Sequence, residues 1–471
     1  MPHTLFDKIW AAHEIRPLGE RTSLLFLDRV FLHERTGSIA LASLAEADRS
    51  VANAATAFAT MDHIVDTFPG RSDATLMPSG TDFIRSLRSG AKDAGIRLFD
   101  LDDPSQGIAH MVAAEQGIAL PGLTLVCPDS HTCTLGALGA LAWGIGTSDC
   151  EHALATETLR TRKPAQMRVW FDGLLRDDVS AKDLILHLIS RYGAAGGRGS
   201  AIEFAGPAIS ALPMNGRFTL CNMAVEFSAF TGIIAPDART FDYLDGRPYA
   251  PRGSDALRAR RHWQSLGTDT DAHFDYDLRV DASACQPMVS WGTSPAQSIG
   301  IAEPIPRPDS FATRAEQAAA ERAQAYMAVK PGERLAGVPI NAAFIGSCTN
   351  SRLADLRTAA KVLEGHRVAP GVRAICVPGS TTTKRAAEAE GLDRVFVEAG
   401  FEWRESGCSL CFYAGGEGFE PGQRVVSTTN RNFEGRQGPG VRTHLASPAT
   451  VAASAIVGSI QAAEGVGHAS V

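Results

Sequence analysis

The sequence lacks the long apolar runs of a membrane protein and the basic excess of a nucleic-acid-binding protein. Its longest apolar stretches, at residues 136–146 and 449–460, are shorter than the ~20 residues that a membrane-spanning helix needs. The N-terminus is charged from its start and has no apolar core of a secretion signal. Lys and Arg total 45 against 52 Asp and Glu, a formal net charge of −7. We therefore expect a cytoplasmic protein that binds neither a membrane nor a nucleic acid.

Nucleotide-binding and disulfide signatures are missing as well. The glycine-rich stretch GALGALAWGIGTSD, at residues 136–149, has neither the lysine of a phosphate-binding loop nor the GxGxxG order of a dinucleotide-binding turn. The nine cysteines are odd in number and scattered without the spacing of a disulfide framework. This usage indicates reduced thiols, among which a local cluster points to metal binding or chemistry.

What the sequence does have is the pattern of a large α/β protein. The 471 residues are 44% apolar and 21% charged, which is ordinary globular composition. Short apolar strands alternate with helical stretches, which predicts α/β domains with mostly parallel sheets and ligands at the carboxyl ends of the strands. We place three such domains at 1–163, 164–300 and 337–471, with a linker at 301–336. One of the strands we predict in the last domain is RVFVEAGF, at residues 394–401.

The third domain holds a constellation of three cysteines. Cys348 lies in GSCTNSR, and Cys408 and Cys411 form the CxxC of GCSLC. A thioredoxin-like pair, half of a zinc site with His444 as a lone further candidate, and ordinary buried cysteines are alternatives that spacing leaves open. Three thiolates without an obvious fourth suit a [4Fe–4S] cluster in which one iron has no protein ligand and can act as a Lewis acid. The other cysteines are expected to be structural: Cys127, Cys133, Cys150, Cys221, Cys285 and Cys376.

Two short polar motifs follow apolar stretches and could carry acid–base chemistry. Asp62 and His63 lie in FATMDHIV, where a carboxylate beside an imidazole raises its basicity, although such a dipeptide is often only a loop or a cap. Asp129, Ser130 and His131 follow the predicted strand LTLVC. These three are either a capped turn or part of a site; a Ser/His/Asp hydrolase is disfavoured because no GxSxG surrounds them.

Four further polar residues have ordinary structural interpretations beside functional ones. His110, in GIAHM, is by itself most typical of a core histidine. Glu226 lies on the apolar stretch CNMAVEF, where burial would raise its pKa. Arg431 and Arg436 lie five residues apart in NRNFEGR, where they are either solvent-exposed or a fork for a dicarboxylate.

Taken together and in order along nearly the whole chain, these motifs resemble the aconitase family. Two motifs, VSWGTSP at 289–295 and RNFEGRQG at 431–438, narrow the resemblance to its branch of 3-isopropylmalate dehydratase large subunits. The segments that carry the family resemblance are FATMDH, QGIAHMVAAEQG, CPDSHTCTLGALGALAWGIGTS, GSCTNSR, GCSLC and STTNRNFEGRQG.

The resemblance implies a fold, a cofactor and an activity. The fold would be three α/β/α domains with mostly parallel sheets around a central cleft. Cys348, Cys408 and Cys411 would hold one [4Fe–4S] cluster with one iron not bound by protein. The activity would be that of a hydro-lyase that isomerises 2-isopropylmalate to 3-isopropylmalate through 2-isopropylmaleate, the second step of leucine biosynthesis.

The resemblance also implies roles for residues other than the cysteines. His63, held by Asp62, would protonate the departing hydroxyl group. The other implied roles are contacts to water on the open iron from Asp129, His131 and Glu226; an active-site position for His110; substrate carboxylate contacts from Ser130, Arg431 and Arg436; a candidate substrate contact from His33; and positions beside the cluster for Asn222 and Asn430.

Two departures from the family pattern matter. The base of the family is a serine in a Ser-rich loop of a further domain, and we find no such loop, so we expect a separate small subunit to supply it. After the CxxC, CFYAGGEGFEPG replaces a Leu-Ala-Met-Asn-like run. This leaves open a dehydratase for citramalate or another substituted malate, or a homoaconitase-like enzyme. An RNA-binding regulator and an iron–sulfur electron carrier are alternatives from other classes; the net charge and the count of three thiolates speak against them.

Overall fold

Three parallel β-sheets with flanking helices organise the chain, of which a computed structural model describes residues 2–466. The first part of the chain forms α1 Leu5–His13, β1 Glu14–Gly19, β2 Thr22–Phe26, β3 Arg29–His33, α2 Gly37–Glu46, β4 Ala57–Thr60, α3 Gly80–Asp93, β5 Arg97–Phe99, α4 Ala109–Glu115, β6 Thr124–Cys127, β7 Leu141–Gly144, α5 Thr147–Thr156 and β8 Thr158–Arg162.

The first sheet has the strand order β5-β4-β3-β6-β7, and all its pairs are parallel. Its inner strands β4 and β6 are buried along their whole length, as expected for a sheet covered by helices on both faces. The chain runs outward from β3 to one edge and then returns to β6. The strand order therefore reverses between β3 and β6, which is where open α/β sheets bind ligands.

The second part of the chain forms a smaller parallel sheet of order β11-β10-β9-β12 and an antiparallel hairpin, β13-β14. Its elements are β9 Gln166–Asp172, α6 Ala181–Tyr192, β10 Ala201–Ala205, α7 Pro207–Ala211, α8 Met214–Asn222, β11 Thr231–Ile233, α9 Ala238–Leu244, α10 Ser254–Ser265, β12 Tyr276–Asp281, β13 Met288–Ser290 and β14 Ser298–Gly300.

The third part forms a parallel sheet of order β17-β16-β15-β18-β19, whose strand order reverses in the same way as that of the first sheet. Its switch point lies between β15 and β18. Its elements are α11 Arg314–Met327, β15 Ala342–Ile345, α12 Leu353–Leu363, β16 Arg373–Cys376, α13 Thr381–Ala389, α14 Leu392–Ala399, β17 Phe401–Trp403, β18 Arg424–Ser427, β19 Arg442–Leu445 and α15 Pro448–Val457. Short 3-10 helices lie at Ser130–Leu138, Met223–Phe227, Ala282–Ala284, Pro308–Ser310, Ser409–Cys411 and Ala463–Gly465.

One predicted strand is wrong. RVFVEAGF belongs mostly to helix α14, and a strand begins only at Phe401. Phe396 and Ala399, three residues apart, are buried while Val397 between them is 57% exposed, which is helical periodicity rather than the alternation of a strand. β-branched residues suggested a strand, and packing of one helical face outweighed that propensity.

The expected α/β fold with mostly parallel sheets is confirmed. The segment 301–336 carries α11, which begins with a capping box between Thr313 and Glu316 and buries Ala320 and Ala323 in the core of the third part. The domain boundaries at 163, 300 and 336 stay predictions. Across residues 2–466, the helices are all too short or too polar to cross a membrane.

Candidate active site

The site forms where the carboxyl ends of the first and third sheets face each other. His33 ends β3, and Asp62 and Asp129 follow β4 and β6, whereas Cys348 and Asn430 follow β15 and β18. The two sheets are tied directly at the site, since the main-chain N–H of Cys408 donates to the carbonyl oxygen of Asp62 at 2.8 Å. The residue before it is Gly407, with φ +157° and little room for a Cβ beside Thr67. Glycine is therefore what allows this close approach.

His63 lies between two carboxylates. Its Nδ1 donates to Asp62 at 2.6 Å and its Nε2 donates to Asp129 at 3.0 Å. Although burial lowers it, the charge of Asp62 and the two hydrogen bonds raise the pKa of His63 well above its ordinary value. The Nε2 atom is also 3.9 Å from Sγ of Cys408. The two carboxylates therefore favour the imidazolium form of His63, whose Nε2 lies beside Cys408.

Asp129 holds three histidines together. One carboxylate oxygen accepts from His63, and the other accepts from His110 Nε2 at 3.1 Å and from the main-chain N–H of His131 at 2.7 Å. Burial alone would raise its pKa, but the charge of His110 and these hydrogen bonds hold the pKa of Asp129 well below its usual range. The contact to His131 is also the N-cap of the 3-10 helix that starts at Ser130. The residue is thus both a cap and the centre of the site.

A second carboxylate extends this network. Nε2 of His131 donates to Glu226 at 2.8 Å, and Nε of Arg431 forms an ion pair with the same oxygen at 2.6 Å. Burial alone would raise the pKa of Glu226, but His131 and Arg431 lower it. Burial alone would lower the pKa of His131, but Asp129 and Glu226 raise it. These buried groups stay charged because each one contacts a group of opposite charge.

The three candidate cysteines are buried around one small space. The hydroxyl of Ser347 lies 4.0 Å from Sγ of Cys348 and 3.3 Å from Sγ of Cys411. The main-chain N–H of Cys411 donates to the carbonyl oxygen of Cys408 at 3.0 Å. Ser347, with φ 74°, and Ser409, with φ 47°, are in the left-handed region directly beside ligand candidates. Such strained residues concentrate at functional sites.

Donor groups surround these sulfurs. The side-chain amides of Asn222 and Asn430 donate to Sγ of Cys348 at 3.1 and 3.3 Å, and Arg436 approaches Sγ of Cys411 at 3.6 Å. Despite burial, the Cys408 thiol, the Arg436 guanidinium and the Ser347 hydroxyl hold the pKa of Cys411 well below its usual range. Three sulfurs that face N–H donors and a cation suit an iron–sulfur cluster, whose sulfurs accept such hydrogen bonds.

His444 is not available as a fourth ligand. Its Nε2 accepts from Arg424 at 2.7 Å, and its Nδ1 donates to the carbonyl of Ser290 at 2.6 Å. Burial and the charge of Arg424 lower the pKa of His444 to about 3. The zinc alternative therefore loses the candidate that the sequence offered for it.

Ser130 and His33, two of the four residues expected to contact substrate, differ in exposure. Ser130 is exposed, and its hydroxyl contacts only Nδ1 of His131, at 3.4 Å. His33 is buried, stacks on the ring of His63 at a centroid distance of 4.1 Å and donates from Nε2 to the carbonyl of Pro128 at 3.1 Å. Burial and the charge of His63 lower the pKa of His33 to about 4, so it is neutral. Its substrate contact stays a prediction.

All the predicted site residues come together in this one network, and two others were missed. Glu34 is fully buried beneath the Asp62–His63 loop, and Lys182 is fully buried against the chain before Asn430. Glu34 follows the strand VFLH and could have been noticed as polar after an apolar run. Lys182, in AKDLIL, has no local feature that marks it, because the residues it contacts come from another part of the chain.

Four residues that could bind a metal ion lie close together at this site. The candidate ligand atoms of His33, Glu34, Asp62 and His63 lie within 4.8 Å of one another. Asp62 and His63 bond to each other, Glu34 accepts from main-chain N–H groups, and His33 stacks on His63, which accounts for their proximity without an ion.

Comparisons with known proteins identify the family of the chain. A sequence model described as the aconitase family (aconitate hydratase) matches residues 7–458. The chain is 52% identical over 457 residues to the 3-isopropylmalate dehydratase large subunit 1 of Bradyrhizobium diazoefficiens, covering 97% of this chain and 95% of that one. Among solved structures, the holo-form of aconitase X from Thermococcus kodakaraensis matches with a TM-score of 0.46 and 12% identity, over 87% of this chain and 84% of that one. From the family match over nearly its whole length, the chain belongs to the aconitase family.

Proposed function

We propose that the chain is the large subunit of a cytoplasmic hydro-lyase that isomerises 2-isopropylmalate to 3-isopropylmalate through 2-isopropylmaleate, the second step of leucine biosynthesis. The observation that carries this proposal is the carboxylate of Asp129, which joins His63, His110 and His131 beside the three buried cysteines. The 52% identity to a relative named 3-isopropylmalate dehydratase large subunit 1 supports the choice of reaction.

Membership of the aconitase family implies an iron–sulfur cluster. We propose that Cys348, Cys408 and Cys411 hold one [4Fe–4S] cluster and leave one iron without a protein ligand. When bound, this cluster supplies a Lewis acid for the substrate hydroxyl and carboxylate. The amides of Asn222 and Asn430, which donate to Sγ of Cys348, would stabilise its sulfurs.

His63 is the proton donor in this proposal. Its pKa, raised by two carboxylates, keeps it protonated near neutral pH, and Nε2 carries the proton on the side of Cys408. Asp62 fixes the tautomer by accepting from Nδ1, so only the Nε2 proton can be given up to a departing hydroxyl group. In rehydration the same nitrogen takes the proton back from water. Asp129, His131 and Glu226 would contact water at the open iron, and His110 would lie in the active site beside Asp129.

Substrate carboxylates would bind on the arginine side. Nε of Arg431 is paired with Glu226, whereas within residues 2–466 the polar and aromatic partners of the Arg436 guanidinium are the rings of Phe412 and Phe433 and Sγ of Cys411. Arg436 is therefore the freer of the two forks for a carboxylate, with the exposed hydroxyl of Ser130 as a further donor. Arg431 would orient Glu226 as well as contact substrate.

The base would come from a small subunit, as a serine. The relative's name, a large subunit, supports a two-subunit enzyme. Leu76, Tyr413 and Phe433, which are 56%, 38% and 51% exposed, lie on adjoining loops at the edge of the site. A second chain would cover them and exclude water from the reaction. We also propose domains at 1–163, 164–300 and 337–471, with 301–336 as the linker.

One observation favours a second candidate substrate. The ring of Phe412, in the departing CFYAGG stretch, lies 5.7 Å from the ring of His63 and 5.7 Å from the guanidinium carbon of Arg436. A ring at this position narrows the space between the acid and the carboxylate fork. A malate with a smaller substituent, such as citramalate, would fit this narrower space.

A substrate panel tests the proposal. The anaerobically reconstituted chain, mixed with its small subunit, is assayed with 2-isopropylmalate, citramalate and other 2- and 3-substituted malates. We expect the highest kcat/KM with 2-isopropylmalate. A higher value with citramalate would select the second candidate, and no turnover of any malate would contradict the hydro-lyase assignment. Cys348→Ser should lose both cluster absorbance and turnover, whereas the matched control Cys285→Ser should keep both.

A further inference from the structure

We propose that Glu34 is a positioning residue for the acid: its carboxylate holds the main chain of the loop that carries His63, and thereby fixes the Nε2 proton relative to the departing hydroxyl group. This inference rests on the proposed role of His63 and adds a residue that neither the motifs nor the comparisons assign.

The loop that Glu34 holds has no regular structure of its own. Residues 61–79, between β4 and α3, form bends and turns only. His63 lies near the start of this loop, where neither a helix nor a sheet fixes its backbone. A catalytic group misplaced by about 1 Å loses on the order of 10²-fold in rate, so the loop needs a rigid attachment.

Four consecutive main-chain N–H groups point at the Glu34 carboxylate. Oε2 accepts from Asp62 at 3.0 Å, and Oε1 accepts from His63 at 2.7 Å, from Ile64 at 2.5 Å and from Val65 at 3.3 Å. Among the described residues, no other group accepts a hydrogen bond from these four N–H groups. A single carboxylate thus takes the place of a strand or helix partner for the segment.

Glu34 is itself rigidly placed. It directly follows β3, the middle strand of the first sheet, and its side chain is 0% exposed. The preceding residue, His33, stacks on the ring of His63. The end of one strand therefore holds His63 from two sides, by its ring and by its main chain, while Asp62 holds Nδ1.

The carboxylate is retained although its burial is unfavourable. Within the described residues it forms no ion pair with Lys or Arg, and burial together with the charge of nearby Asp62 raises the pKa of Glu34 to about 7. The charge of His63 and the N–H groups act in the opposite direction. An apolar residue would avoid this desolvation but would leave four buried N–H groups without an acceptor. The acceptor role therefore explains why a carboxylate lies here.

The test compares Glu34→Gln and Glu34→Ala in the cluster-loaded chain with its small subunit. The glutamine keeps one oxygen for His63 and Ile64 but turns an NH₂ group toward the N–H of Asp62. We expect Glu34→Gln to lower kcat by about 10- to 100-fold with KM changed less than about threefold, because the acid rather than the carboxylate fork is displaced. The matched control is Glu203→Gln, a buried glutamate on β10 bonded to Thr268, which should leave kcat unchanged.

Two further readouts separate positioning from simple destabilisation. Hydrogen exchange of the peptide spanning residues 61–66 should accelerate about tenfold or more in both Glu34 variants and stay slow in Glu203→Gln. In a His63→Ala background, Glu34→Gln should cause no further loss of kcat, because the residue acts through His63.

Several results would overturn the proposal. These are an unchanged kcat in Glu34→Gln, a loss of cluster absorbance parallel to the loss of kcat, or an additional full loss in the His63→Ala background. If the wild-type enzyme turns over no malate, the proposed function fails, and hydrogen exchange alone decides the role of Glu34. Slow exchange of residues 61–66 in Glu34→Gln would then overturn it.

Discussion

At the scale of single residues, the chemistry of the site depends on how carboxylates are distributed around His63. Asp62 and Asp129 bind opposite ring nitrogens, so the imidazolium is stabilised from both sides although it is buried. Asp129 also accepts from His110 and His131, and its negative charge is correspondingly shared. The larger electrostatic effect on His63 therefore comes from the charge of Asp62, which raises the pKa of His63 against its burial.

The charge of Asp62 should set the alkaline limit of activity. Because the acid must be protonated, turnover is lost as pH rises through the pKa of His63, which lies above its ordinary value. Asp62→Asn removes the charge that raises this pKa, so the alkaline limb of the kcat profile should move to lower pH. The measurement is kcat against pH for the wild type and the variant, each with its small subunit.

The same substitution at another buried pair provides the control. His13 Nε2 bonds to Asp28 at 2.7 Å near the start of the first sheet, and Asp28 likewise raises the pKa of its histidine against burial. Asp28→Asn should change stability but leave the alkaline limb in place. An unmoved limb in Asp62→Asn would assign the titrating acid to another residue.

At the scale of helices and strands, the position of the site could be predicted and its internal contacts could not. Asp62, Asp129 and Cys348 each follow a run of apolar residues, and the rule that sites form beyond the carboxyl ends of parallel strands applies to all three. The failure at RVFVEAGF, now α14, shows the limit: local propensity does not reveal which face a neighbouring element buries. Strand ends are local information, whereas packing partners are not.

Lys182 on α6 is an anchor that local sequence does not reveal. Its Nζ donates to the carbonyls of Thr428 and Thr429, directly before Asn430, at 3.0 and 2.5 Å. Lys182→Met removes both donors and should destabilise the chain by about 1–3 kcal/mol, the usual effect of leaving buried polar groups unsatisfied. The melting temperature of the cluster-loaded protein checks this, with the exposed Lys361→Met as a control that should differ little.

The effect of Lys182 should also depend on pH. Burial lowers its pKa to about 7, below the ~10.4 of an unfolded lysine. Between these values the folded chain binds fewer protons than the unfolded chain, so the contribution of Lys182 to stability increases as pH rises. The difference in melting temperature between wild type and Lys182→Met should therefore widen from pH 7 to 9. A difference that narrows over this range would contradict a largely neutral, buried amine.

At the scale of the whole molecule, the site is assembled from all three parts of the chain. Asp129 comes from the first sheet, Glu226 from the second part and the cysteines from the third. Contacts between the parts hold them in place: Ser406, two residues before Cys408, donates to the side-chain oxygen of Gln106 at 2.6 Å, and the guanidinium of Arg71 donates to the carbonyl of Ser406. These long-range pairs, like the contacts of Lys182, cannot be seen in a single sequence because nothing in their local spacing specifies them.

We propose that the assembled site supplies an acid, a carboxylate fork and three thiolates, and that the base comes from a second subunit. The exposed apolar residues Leu76, Tyr413 and Phe433 at the edge of the site fit a surface that a partner covers. Turnover should therefore require binding of that partner.

Titration of the small subunit into the cluster-loaded chain tests this account most directly. With 2-isopropylmalate as substrate, the isolated chain should form no 3-isopropylmalate, and the rate should rise from zero to saturation as the partner is added. His63→Ala in the same titration should bind the partner normally but turn over about 10²–10⁴-fold more slowly, the usual range for loss of a general acid. Robust isomerisation by the chain alone would contradict the account, because it would require a base among the residues of this chain.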